Sequence, residues 1–276
     1  MINNKSICID GIECYAPDLA FSNDDYSPQT FERLFKAERN NFWFRSRNRV
    51  IHGLVGKRVD GQHPFHFLEI GCGTGFVLKG LSDLPKIELT GAEIYVEGLK
   101  LTKQRLPDIR LVQLDACNMP FVSTFDAIGA FDVLEHIEED EKVMQQVSQA
   151  LKPGGYFMIS VPQYKWMWSY LDDMACHKRR YSRKELRAKL EGAGFEISYI
   201  GSFVFTLFPL MWFSRLLKKN SKKEFSVDEQ MKEIELGNFA NRFLELFMGL
   251  DELLIRMGVP LPFGGSLLAV AKKKEI

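Results

Sequence analysis

The feature that most constrains this chain is a change of character within a short span. Phe65 to Ile70 reads as a short strand, runs into Gly71-Cys72-Gly73-Thr74-Gly75, and Phe76 to Leu81 then takes up helical spacing. Glycines there let the backbone turn tightly, so that N–H groups at the helix start come close to a ligand. A strand feeding a helix through such a turn opens a βαβ unit, which implies parallel strands in a sheet covered on both faces.

The chain repeats that alternation as far as Val161. Strands are expected at Ile87–Ile94, Ile109–Leu114, Phe125–Phe131 and Tyr156–Val161, with helices over Tyr95–Arg105 and Glu139–Leu151. Lys152-Pro153-Gly154-Gly155 reads as a turn before the fifth strand. Ser182–Glu191 is an amphipathic helix stopped by Gly192-Ala193-Gly194, and Phe195–Ile200 and Ser266–Ala271 are the last strands. Between these two strands the pattern is helical, over Phe203–Leu217 and Asp228–Met257. Ahead of the core, the first 30 residues are polar and turn-rich. Phe31, Leu34, Phe35, Glu38 and Phe42 then recur at helical spacing, and Arg45–Leu54 continues as a basic helix. The expected fold class is α/β, a doubly wound, mainly parallel, seven-stranded Rossmann-like sheet. Residues 1–60 would form a helical lid, 61–202 with 264–276 the core, and 203–263 a helical insertion over the open end of the sheet that shapes the substrate site.

Composition excludes several classes. Lys plus Arg and Asp plus Glu number 36 each, so no global field favours nucleic acid or an anionic surface. The five cysteines are widely spaced without a C-x-x-C pair, which argues against a disulfide framework or a structural zinc site and for a reducing compartment. No signal peptide is apparent, and the longest apolar stretch, Phe203–Phe213, is shorter than the about 20 residues that span a bilayer. A cytoplasmic location is expected.

Acidic residues close two further strands. Glu93, within Gly91-Ala92-Glu93-Ile94, could accept hydrogen bonds from both ribose hydroxyls of a nucleoside, or be a solvated loop residue. Asp115-Ala116 could meet an adenine amino group, or Asp115 could cap a turn. With Leu68-Glu69-Ile70 before the glycines, Gln113-Leu114-Asp115-Ala116, Phe125-Asp126-Ala127-Ile128 and Leu151-Lys152-Pro153-Gly154-Gly155, the ordered series resembles class I S-adenosylmethionine-dependent methyltransferases over about Phe65 to Ile200. The resemblance implies that Gly71, Gly73 and Gly75 line the cofactor's methionine and ribose. It also implies Glu93 and Ile94 at the ribose, Asp115 and Ala116 beside adenine, and the Phe131 region beside the sulfonium. Glu69 would orient the loop or the cofactor's amino group. Nicotinamide enzymes usually carry G-x-G-x-x-G, whereas this loop is G-x-G-x-G.

Methyl transfer from a sulfonium releases a neutral thioether, so the enzyme chiefly positions a nucleophile and removes its proton. Asp132-Val133-Leu134-Glu135-His136 offers His136 as a base. Related quinone-precursor and small-RNA methyltransferases hold a divalent metal on a Glu-x-x-Glu-His series. Leu-Glu-His is also frequent in the superfamily without metal, and no metal is assigned here. Gln163 to Tyr181 crowds aromatic and basic side chains into the loop after the fifth strand, as a substrate wall or an aromatic plug over the sheet edge. His177, Arg180 and Tyr181 match a His-x-x-Arg-Tyr pattern of related methyltransferases; His177 is the first choice of base, and Arg180 could hold an anionic group.

Asn41 to Arg49 is a second aromatic-basic cluster, similar to a Phe-Trp-Phe-x-x-Arg stretch on a helix that lids the cofactor in related proteins. Arg45 or Arg49 could meet the methionine carboxylate, or the arginines could be solvated and the aromatics pure packing. No RNA-binding module accompanies the cluster, so no nucleic-acid partner is expected. Phe203–Leu217, followed by Lys218, Lys219, Lys222 and Lys223, could lie in a membrane interface through 203–223, or be core or dimer contact in a monomer or homodimer. The expected function is transfer of a methyl group from S-adenosylmethionine to a small-molecule or lipid-linked acceptor at oxygen. The alternatives are a non-catalytic cofactor-binding partner subunit and an NAD(P)-dependent oxidoreductase.

Overall fold

In the computed structural model, residues 6–22, 27–218 and 237–275 are described. Among them a single sheet holds β1 (Ile7–Ile9), β2 (Ile12–Cys14), β3 (Phe65–Ile70), β4 (Ile87–Glu93), β5 (Arg110–Gln113), β6 (Phe125–Phe131), β7 (Leu151–Pro162), β8 (Phe195–Phe203) and β9 (Ser266–Lys273). Their spatial order is β1-β2-β5-β4-β3-β6-β7-β9-β8. Strands β3 to β7 run parallel to one another, and β9 inserts antiparallel between β7 and β8. The expected seven strands are β3 to β9. The sheet has nine because Ile7–Ile9 and Ile12–Cys14 form a hairpin around Asp10-Gly11, with β2 running parallel to β5. Both turn residues lie at positive φ (52° and 76°), which is what a two-residue turn matching the twist of the strands demands.

Alternation along the strands sends side chains to two cores. Leu68, Ile70, Ile128 and Phe157 pack with helices α5 (Asp140–Ala150) and α7 (Arg183–Gly192) on one face. Phe67, Ala127 and Met158 pack on the other, with α2 (Phe42–Gly56), α3 (Phe76–Leu81) and α4 (Val96–Arg105). Strand β7 starts earlier than the sequence suggests. Lys152-Pro153-Gly154-Gly155 lies within it, with Gly154 at φ 71° and a shifted β6–β7 register between Phe125 and Ala127.

The N-terminal helical pattern divides into α1 (Pro28–Ala37) and α2, because Asn41 caps α2 by accepting the N–H of Trp43 at 2.9 Å. Short α6 (Tyr170–Met174) follows β7, and the insertion supplies α8 (Phe208–Lys218) and α9 (Asn238–Arg256). The part of the expected second insertion helix from 228 to 236 lies outside the described residues. No helix among the described residues is long and apolar enough to cross a membrane.

Candidate functional site

Strand order reverses at β3 and β6, so the loops after their C-terminal ends diverge and leave a crevice. A cavity of about 470 Å³ sits there. Gly71, Gly73, Glu93, Ile94, Asp115, Ala116 and Phe131 all line it, as does Glu69 at the end of β3. Gly71 sits at φ 64°, and a Cβ there would come within 2.5 Å of Val133, so the close approach of loop to loop requires glycine. Gly73, at φ 53°, faces open space, the cradle a ligand would enter. Gly75 is instead the N-cap of α3 and packs against Thr102, behind the cavity wall.

Glu93 ties the loop together. Its carboxylate accepts the N–H groups of Gly73 at 3.0 Å and Ile94 at 2.8 Å, and burial raises its pKa. Asp115 combines the two roles the sequence left open. It lines the cavity while its oxygens accept from Cys117 N at 2.8 Å and Asn118 Nδ2 at 2.6 Å. Glu69 is 3% exposed, and its Oε2 is buried with no hydrogen-bond partner. Burial pushes the Glu69 carboxyl well above the usual range; nearby Arg47 opposes the rise, and Glu38 and Glu93 add to it.

Helix phase decides which arginine reaches the cavity. Arg45 and Arg49, four residues apart, share a face and both pair with α9: Arg45 with Glu245, Arg49 with Glu245 at 2.7 Å and Glu252 at 2.6 Å. Arg45 therefore does not line the cavity. Arg47, about 200° around the helix from Arg45, lines it with Trp43 and Phe44, stacks over Trp43 at 4.6 Å, and donates to Asp132. Its Nε is buried without a partner. Arg47 is the arginine of the Phe-Trp-Phe-x-x-Arg stretch, so the pattern itself pointed to it. Glu38 of the α1 C-cap is a second lining residue that the sequence reading did not assign; it accepts from Thr74 Oγ1 at 2.6 Å and Arg105 at 3.0 Å.

His136 and His177 meet at the cavity edge, their rings perpendicular with centroids 4.8 Å apart. Burial, reinforced by His177, pushes the pKa of His136 down to about 4. His177 Nδ1 lies 2.9 Å from Asp172 Oδ1. Burial alone would raise the pKa of Asp172, yet hydrogen bonds from His177 and Arg180 hold it well below the carboxylate range. An ionised Asp172 can only accept, so the Nδ1 of neutral His177 carries the proton and Nε2 keeps the lone pair. Glu135, His136 and His177 also offer ligand atoms within 4.8 Å of one another, a set that could hold a divalent cation. Asp132 stands outside that set, held by Arg47.

Two predicted catalytic residues are not brought to the cavity. Arg180 is buried beneath it, donating to Asp172 at 2.6 Å and to the Gln163 carbonyl at 3.0 Å, so its charge is already matched. Tyr181 is fully buried, donating to Asp140 at 2.7 Å, and burial raises its pKa far out of catalytic range. From the aromatic stretch Gln163–Tyr181, Ala175 and His177 line the cavity, whereas Trp166 and Trp168 are exposed. Among the described residues of 203–263 none lines the cavity; α9 braces α2 instead.

The cavity fits an amino acid joined to a nucleoside. Glu69 Oε2 and Arg47 Nε are the orphaned polar atoms that an ammonium and a carboxylate would satisfy, and Glu93 stands one strand over for a diol. A family model described as "Methyltransferase domain" matches residues 29–200. A "Probable S-adenosylmethionine-dependent methyltransferase" of Mycolicibacterium smegmatis is 31% identical over 62% of this chain and 66% of its own length. The "Ubiquinone biosynthesis O-methyltransferase" of Idiomarina loihiensis is 24% identical over 41% of this chain and 49% of its own. The chain thus matches less than two thirds of either relative. The structure of Haemonchus contortus phosphoethanolamine N-methyltransferase 2 with S-adenosylmethionine shares the fold at TM-score 0.59 and 15% identity, over 94% of this chain and 59% of that one.

Proposed function

Because the chain belongs to the methyltransferase-domain family, we propose that it transfers a methyl group from S-adenosylmethionine to a hydroxyl of a small-molecule or lipid-linked acceptor. The observation that carries this reading is the cavity itself, which joins two incompletely satisfied side chains of opposite chemistry, the acid Glu69 and the guanidinium of Arg47, to the glycine turn and Glu93. Arg47 would hold the methionine carboxylate, Glu69 the amino group, Glu93 the ribose, and Asp115 with Ala116 the adenine. Bound there, the sulfonium supplies an electrophilic methyl carbon and leaves as a neutral thioether. His177 Nε2 takes the acceptor's hydroxyl proton, and Asp172 stabilises the resulting imidazolium. His136, whose pKa is pushed down to about 4, stays neutral beside it. Apolar walls from Phe31, Trp43 and Phe44 suit a hydrophobic acceptor, and the ubiquinone-pathway relative acts at oxygen by its name.

The test is a tritiated-methyl assay on cell extract separated into lipid, small-molecule and macromolecule fractions. Label should enter the lipid or small-molecule fraction. His177→Ala should lower that rate by roughly 10²–10⁴-fold while leaving the affinity for S-adenosylhomocysteine unchanged. Tight cofactor binding with no label in any fraction would instead mark a non-catalytic partner subunit, and binding of NADH in place of S-adenosylhomocysteine an oxidoreductase. EDTA should leave the rate unchanged. A loss restored by Mg²⁺ or Mn²⁺ would reassign Glu135, His136 and His177 to a metal site.

A further inference from the structure

Outside the cavity, the most unusual surface is the outer side of the insertion. On α9, Phe239, Phe243, Leu246, Phe247, Leu250 and Leu253 are all exposed, Phe239 to 86% and Leu246 to 76%. Leu210, Trp212 and Phe213 on α8 add exposures of 57%, 45% and 57%. Single exposed apolar residues are ordinary; nine large ones on two helices of one insertion are not.

Charge is sorted across α9 as sharply as hydrophobicity. Its three acids all turn inward: Glu245 and Glu252 to Arg45 and Arg49 of α2, and Asp251 to the N–H groups of Phe205 at 2.5 Å and Thr206 at 3.1 Å. The charged residue left on its outward side is Arg242, since Arg256, though exposed, lays its side chain against Gly53 of α2. Helix α8 contains no acid at all.

We infer that the exposed apolar face of α9 rests on an anionic lipid surface. A second copy of the chain is the competing occupant, because Phe239, Phe243, Leu246, Leu250, Leu253 and Met257 follow the alternating spacing of a coiled-coil seam. The flanking positions argue against it. One flank carries Arg242, Gly249 and Arg256, the other Ala240, Phe247 and Leu254. An antiparallel pair would set arginine against arginine, and a parallel pair arginine against apolar residues; neither supplies the opposite charge that selects such a partner. Anionic headgroups supply it, while the aromatic and leucine side chains enter the acyl boundary. Neither helix is long and apolar enough to cross, so the surface lies on the membrane. It also shifts the contact expected over 203–223, since Phe203, Val204 and Leu207 are buried in the core.

Flotation of the full chain with vesicles tests this. Vesicles of phosphatidylglycerol and phosphatidylcholine should carry the protein, and pure phosphatidylcholine should carry at least tenfold less. The doubly substituted Phe243→Glu, Leu246→Glu chain should lose binding at least tenfold, and Arg242→Gln about fivefold. All three positions are exposed, so circular dichroism and S-adenosylhomocysteine affinity should stay as in the parent. Absence of binding to either vesicle overturns the inference, whether the chain is a dimer that the double substitution splits or a monomer. The methyltransferase reading stands or falls separately, on the assay in solution.

Discussion

Glu69 carries opposing demands on one side chain. In the protein without cofactor its burial disfavours the charge that cofactor binding requires. Its folded-state pKa lies above the unfolded value, so its stabilising contribution is complete below the unfolded pKa and is lost as pH rises through the folded one. Glu69→Gln should therefore gain in thermal midpoint relative to the parent as pH rises, by calorimetric scans from pH 4.5 upward, while losing affinity for S-adenosylhomocysteine. A gap that shrinks with rising pH would contradict the sign. Glu93 behaves similarly for binding. Its raised pKa means that the carboxylate begins to protonate above the ordinary range. Cofactor affinity should fall with acidification from a higher pH than a free carboxylate predicts, and Glu93→Gln should flatten that profile. The glycines and Glu93 were legible because strand ends and turn chemistry are local properties, whereas Glu69 was pointed to only by the family resemblance. Asp172 was not legible as a partner of His177. Its role arises from the fold of α6 and the segment after it, which five residues of sequence separation do not reveal.

Helix α2 shows what a helical pattern leaves open. The sequence offered an aromatic-basic helix that could lid a cofactor or simply pack, but its rotation depends on which neighbour claims each face. Helix α9, far along the chain, claims the face of Arg45 and Arg49 and turns Arg47 to the cavity. The two arginines should accordingly separate in experiment. Arg47→Met removes a charge-assisted contact from the cavity and should weaken S-adenosylhomocysteine binding by roughly 10- to 100-fold. Arg45→Met breaks a partly exposed pair with Glu245; it should cost at most about 1 kcal/mol of stability and leave binding intact. Parallel calorimetry and urea titration of the two variants would show it. Equal losses of affinity would mean that α2 sits in another phase. The insertion's inward acids escaped the sequence reading for the same reason, since their partners lie on a distant helix. The Asp10-Gly11 hairpin, by contrast, carries a readable two-residue signal within a polar, turn-rich stretch.

At the scale of the molecule, the last strand is an interior one. Strand β9 pairs with both β7 and β8, and Leu267 to Ala271 are essentially inaccessible, so β7 and β8 are joined in one sheet only when β9 has entered between them. The entry is tight at Gly264, just before β9, where a Cβ would collide with the backbone carbonyl of Phe203 at the end of β8. Backbone cannot yield as a side-chain tip can, so Gly264→Ala must displace one strand end from the other. Overpacking of that kind costs about 1–3 kcal/mol. Gly249, in the interior of α9 and facing open space, supplies the control. Gly249→Ala removes backbone freedom from the unfolded chain and meets nothing in the folded one, so it should stabilise by about 0.5–1 kcal/mol. Urea unfolding of the pair reads both signs at once. Opposite shifts of the midpoint with unchanged slope place the constraint at the closing strand. A neutral Gly264→Ala would mean that the approach to β9 is looser than the close packing of Gly264 against Phe203 requires.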